Sequence, residues 1–141
     1  LTIDLATDQG KALLLDLVKV CDVLVENYRG SVMDRLGLGY DVVSSRNPQL
    51  IYLKISSQGA TGPEANYGSL GSTLEQTGGL ASITGYEDGL PLLTNLVYPD
   101  PVVGILSFGA LMTASAFTSG TTRGTCGSIR HADELSITKT S

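Results

Sequence analysis

The stretch NLVYPDPVVG, residues 95–104, sets one carboxylate, Asp100, between Pro99 and Pro101 at the edge of a long apolar run. Asp followed by Pro is what a helix start requires: the carboxylate accepts orphan amide bonds as N-cap, and Pro fixes φ at the first helical position. Amide donors and the positive helix end also favour the ionised form. An ionised, oriented carboxylate can serve as a nucleophile and, unlike serine, needs no neighbouring base to take its proton. Attack on a thioester would give a mixed anhydride, which keeps an acyl group activated for transfer. A plain capping role stands beside this chemical one. The only histidine, His131, lies in a Ser, Thr and Gly-rich end of the chain and reads as a bystander.

ENYRGSVMDRLGLGY, residues 26–40, is the other distinctive segment. Asn27 and Tyr28 at a strand end could offer an amide and an aromatic face to a nucleotide, and Arg29 and Arg35 carry guanidinium groups suited to phosphates. The plainer reading is a solvated turn and a helix surface. Gly37 and Gly39 make no G-x-G-x-x-G after a strand, so a nicotinamide-dependent enzyme has little support. SSQGATGPEA, residues 56–65, places Gly59, Gly62 and Pro63 in a loop that follows a strand. No H-x-H, H-E-x-x-H or Cys/His cluster occurs, so no metal site is expected.

These residues need elements to position them. LTIDL (1–5) reads as a short strand, and Thr7 or Asp8 caps a helix whose apolar residues Leu13, Leu14, Leu17, Val18 and Cys21 recur at helical spacing. DVLVEN (22–27) has the length of a buried strand. SVMDRLG (31–37) reads as a short helix capped by Ser31 and stopped by Gly37. A further helix ends near Pro48, and LIYLKIS (50–56) reads as a third strand. Alternation of strands and helices implies an α/β fold whose parallel sheet binds ligands beyond the carboxyl ends of its strands, where residues 25–27 and 55–57 would lie. SLGSTLEQTGG is a modest helix closed by Gly78 and Gly79. The run from Pro101 is apolar on every side and is expected to be buried. Residues 118–141 lose both periodicities and are expected to be poorly ordered, which divides the chain into 1–117 and 118–141.

The chain has 141 residues, 42% hydrophobic and 16% charged, enough for one real core. A net charge of −5 with scattered Lys and Arg argues against a nucleic-acid partner. Cys21 and Cys126 form neither a C-x-x-C pair nor a disulfide framework, which fits a reducing interior. The longest apolar segment is interrupted by Gly, Ser and Thr, so no membrane span is expected. The chain opens at Leu1 in mid-pattern, which suggests a piece of something longer.

The segments spanning 1–43, NPQLIYLKISSQGATGP, GGLASITGYEDGLP and YPDPVVG together resemble the family III CoA-transferases, of the CaiB/BaiF and formyl-CoA transferase type, from Leu1 to about Ala116. The resemblance implies part of a Rossmann-like parallel-sheet large domain, and Asp100 with Gly104 falls on the family's nucleophile motif. It places Asn27, Tyr28 and Arg35 near coenzyme A, with Ile3 beside the adenine at the end of the first strand. It implies CoA as substrate rather than as a resident cofactor, an acyl-CoA and a carboxylic acid as partners, an interlocked homodimer for the full-length form, and a cytoplasmic setting, or a mitochondrial one in a eukaryote. The related racemases pair the Asp with a His ahead of the double glycine, where ANYGSLGSTLEQTGG has none. A thioester-exchanging transferase is therefore the expected activity, and the alternative is a CoA-binding remnant or truncated gene product without turnover. Gly30-Ser31 replaces the family's usual Pro-Gly, and TTRGTCGSIR stands where its R-T-G-x-G-Q motif is expected.

Overall fold

The structure, a computed structural model, describes the backbone of residues 1–119, 125–130 and 135–139 and the side chains of residues 1–116. Helix α1, Asp8–Val18, is capped by Thr7, whose hydroxyl accepts the Gly10 amide at 3.0 Å. No strand precedes it. Asp4 instead turns the chain: its carboxylate accepts the Ala6 amide at 2.9 Å and its carbonyl accepts the Thr7 hydroxyl at 2.9 Å, and these local bonds replace the ladder that LTIDL was expected to join. The helix also ends at Val18 rather than continuing to Cys21, which is exposed.

Strand β1, Val23–Glu26, pairs in parallel with β2, Ile51–Ser56, in a register that sets Leu24 opposite Tyr52 and Glu26 opposite Lys54. Between them lie α2, Val32–Arg35, and α3, Tyr40–Arg46. Ser31 precedes α2 without a side-chain capping bond, and Gly37 closes it at φ +74°, a conformation that glycine adopts without Cβ strain. One core face joins α1 and α3 to the sheet through Val18, Val43, Leu50 and Tyr52, with Leu15, Leu24 and Tyr40 against them. The amide of Asn47 ties these layers by donating to the Val18 and Cys21 carbonyls at 3.0 and 2.9 Å.

Helices α4, Gly71–Thr77, and α5, Leu80–Ile83, lead through an irregular segment to α6, Pro99–Ser119. α6 packs on β2 and α4, and Ile51, Tyr52 and Leu53 are all buried, so β2 is covered on both faces, as a parallel sheet requires. The expectation that α6 is buried all round is not met. Ser107 and Ala114, two helical turns apart and so on one face, are buried, whereas Ile105 is 73% and Phe108 64% exposed. Residues 125–130 form β3, parallel to β2, and residues 135–139 form β4, antiparallel to β3. The sequence offered no strand signal for these two stretches, and the rest of the expected loose tail, residues 120–124, 131–134 and 140–141, lies outside the described residues.

Candidate functional site

β1 and β2 run in the same direction, so Asn27 and Ser57, which follow them, emerge at one rim of the sheet. A cavity of about 350 Å³ opens there, lined by Asn27, Ser57 and Ser69, by Gly71 and Leu74 of α4, and by Asp100 and Val103 of α6. Its size reaches the lower part of the range for small-molecule sites. Asp100 is the one charged residue in that lining.

Asp100 is not the N-cap. α6 begins at Pro99, so Asp100 is its second residue and Pro101 its third. The amide of Val102 reaches the Tyr98 carbonyl at 3.4 Å, and that of Asp100 reaches the Val97 carbonyl at 2.9 Å. Both prolines thus fall among the first residues of a helix, whose amides lack intrahelical partners in any case. Asp100 lies in the first turn of α6 and lines the cavity. Opposite it, α4 presents a glycine: a Cβ built on Gly71 would stand 2.8 Å from Oδ1 of Asp100 and would also collide with Val97. The approach of the carboxylate therefore depends on the absence of a side chain at residue 71.

The turn carrying Asn27 is fixed from behind by Glu26. Oε2 of Glu26 accepts the Tyr28 amide at 2.7 Å, and Oε1 lies 3.8 Å from Nζ of Lys54, which is also 3.8 Å from Asp34. Burial pushes the Glu26 carboxyl above the ordinary glutamate range. The Tyr28 amide, Lys54 and the Tyr52 side chain act against that rise, while Asp34 adds to it. Gly30, at φ +52°, has the left-handed backbone that favours glycine, and a Cβ there would also press on the Ala65 carbonyl, which accounts for the glycine at the altered turn. The structure thus brings two of the expected site residues, Asn27 and Asp100, into one cavity. Tyr28 and Arg35 are exposed outside its lining, and Ile3 is half-buried in the irregular segment ahead of α1 rather than at a strand end.

Sequence reasoning placed Ser57 at the rim with residues 55–57 but did not single out Ser69. Nε2 of Gln58 donates to the Ser69 hydroxyl at 3.0 Å, and that hydroxyl donates to Ser57 at 3.1 Å, which gives the cavity a hydrogen-bonded polar wall. Ser69 lies away from the strand and meets Ser57 only through the fold, so no local signal marked it. Among the described residues no three His, Cys, Asp or Glu side chains gather as a metal site, and no helix is long and apolar enough to cross a membrane.

A sheet whose strands β1, β2 and β3 run parallel, with helices over both faces of β2 and a cavity holding Asp100 at its carboxyl rim, makes this an α/β protein. The family it belongs to is CoA-transferase family III, whose model matches residues 1–131. A formyl-CoA:oxalate CoA-transferase of Rhodopseudomonas palustris (strain BisB18) is 39% identical over 105 residues, 74% of this chain and 24% of its own length. A succinate–glutarate CoA-transferase of Agrobacterium fabrum is 36% identical over 111 residues, 79% of this chain and 28% of its own. Among solved structures, a CAIB/BAIF family protein from Brucella suis superposes with a TM-score of 0.83 at 32% identity, over 89% of this chain and 33% of that one. A Mycobacterium tuberculosis protein in an orthorhombic crystal form superposes at 0.85 with 27% identity, over 92% of this chain and 36% of its own. The chain spans about a quarter of the length of the curated relatives it matches.

Proposed function

We propose that this chain carries the nucleophile-bearing part of an enzyme that moves coenzyme A from an acyl-CoA to a carboxylic acid. The observation that carries the proposal is the meeting of Asn27 and Asp100 in one cavity at the sheet rim, in a chain whose relatives are named CoA-transferases. A carboxylate oxygen of Asp100 attacks the thioester carbonyl carbon, the C–S bond breaks, and CoA thiolate leaves a mixed anhydride. The thiolate then attacks the Asp100 carbonyl, releasing the first acid and leaving an aspartyl-CoA thioester. The acceptor carboxylate displaces the thiolate from it, and thiolate attack on the acceptor's acyl carbon yields the new acyl-CoA and free Asp100. No proton needs to be moved, which suits a site where Asp100 is the one charged lining residue. In this reading Asn27, Tyr28 and Arg35 hold CoA, with Ile3 toward the adenine, and 1–117 forms the catalytic part.

Gly71 separates this reading from proton exchange. The residue that faces Asp100 from α4 has no side chain, so that helix start supplies no acid–base partner. A cytoplasmic setting and an interlocked homodimer of the longer form belong to the same proposal. A second reading, CoA binding without turnover, draws on the exposed Ile105 and Phe108 of α6, apolar surface of a kind that a complete domain covers. Mixing the chain with an acyl-CoA and following free thiol separates the two. Stoichiometric release that Asp100→Ala abolishes supports the transferase; CoA binding with no release supports the second.

A further inference from the structure

Glu75 lies on α4 and is 1% exposed, yet no Lys or Arg pairs with it among the described residues. A buried carboxylate without a cation is costly unless hydrogen bonds replace its water. Here three do. Oε2 accepts the Thr94 amide at 2.8 Å, and Oε1 accepts the Thr94 hydroxyl at 2.6 Å and the Tyr98 amide at 3.0 Å. All three donors lie at the two ends of one short segment, 94–98. Between those ends sit the two non-glycine residues that have left-handed backbones among the described residues, Asn95 at φ +59° and Val97 at φ +49°. For a β-branched residue that conformation is strained and persists only where the surroundings impose it. The strained Val97 carbonyl receives the Asp100 amide at 2.9 Å, and Tyr98 directly precedes the first residue of α6.

We infer that Glu75 is a positioning residue: its carboxylate clamps the strained 94–98 segment and thereby aims Asp100 into the cavity beside Gly71. The inference rests on the reading of Asp100 as the nucleophile and adds to it the device that holds the nucleophile in place. The Thr94 hydroxyl, and after it the Thr94 and Tyr98 amides, hold the Glu75 carboxyl below the ordinary glutamate range, so the acceptor is ionised at neutral pH. Glu75 reaches none of the reacting atoms. It acts through the backbone, as donors clamped at both ends of a loop would require.

The test compares Glu75→Gln, Thr94→Val and Thr94→Ser with the wild-type chain. Hydrogen exchange by mass spectrometry reads the segment, and the rate of acyl-adduct formation at Asp100 from saturating acetyl-CoA reads the nucleophile. Glu75→Gln is expected to speed exchange at residues 94–103 roughly tenfold to a hundredfold, as loss of a charge-assisted bond predicts, with β2 unchanged. Adduct formation should slow by up to about a hundredfold, the scale of a small misplacement, while CoA affinity stays constant. Thr94→Val should shift both readouts in the same direction by less, and Thr94→Ser should restore them. Unchanged exchange at 94–103, or an equal rise in β2, would overturn the inference. If the wild-type chain forms no adduct, the nucleophile reading fails, and the exchange result alone still decides whether Glu75 holds the segment.

Discussion

Gly71 at the start of α4 and Asp100 in the first turn of α6 are in such close approach that a methyl group on the former would lie 2.8 Å from a carboxylate oxygen of the latter. That is nearer than side-chain carbons normally come, so one of the two elements would have to shift. Gly71→Ala is therefore expected to slow Asp100 acylation by about a hundredfold, with CoA affinity unaffected, because Asn27 stands on a different element. Thiol release and CoA titration on the same variant check this.

Stability should depend on the buried side of the molecule and hardly at all on the open side of α6. Leu38 is fully buried, and Leu38→Ala should cost about 2–5 kcal/mol in urea denaturation. Ile105 is 73% exposed, and Ile105→Ala should stay within about 0.5 kcal/mol. A large loss at Ile105 would mean that this face is covered in solution.

Two glutamates give opposite pH signatures. The folded Glu26 carboxyl sits above its ordinary value of 4.5 because it is buried. As pH rises through that value the unfolded chain ionises first, so wild type should lose stability relative to Glu26→Gln and then level off. The folded Glu75 carboxyl sits below 4.5 because of its hydrogen bonds to Thr94 and Tyr98. Its contribution is present above that value and fades as pH falls, so the gap between wild type and Glu75→Gln should close in acid. Denaturation series for both variants across the acid range distinguish the two signs.

Elements whose signals are local were legible in the sequence. β1 and β2 announced themselves as an apolar run and a β-branched, aromatic run, and their parallel pairing put Asn27 at the predicted rim. Asp100 was conspicuous between prolines, although the helix starts two residues earlier than the capping rule suggested, because Pro99 also fits a first turn. The expected strand at 1–5 failed because Asp4 captures the following amides in a turn. The roles of Gly71 and Glu75 arise from contacts between distant segments. The only hint was spacing: 71, 74, 75 and 78 fall on one helical face, which is where a buried glutamate would stand out.

The central claim is that the Asp100 carboxylate attacks the thioester. Incubation of the chain with acetyl-CoA and hydroxylamine, followed by peptide mass spectrometry, tests it most directly. A hydroxamate at Asp100, absent without acetyl-CoA and absent in Asp100→Asn, is the predicted result. Release of CoA thiol with Asp100 unmodified, or undiminished release in Asp100→Asn, would contradict it.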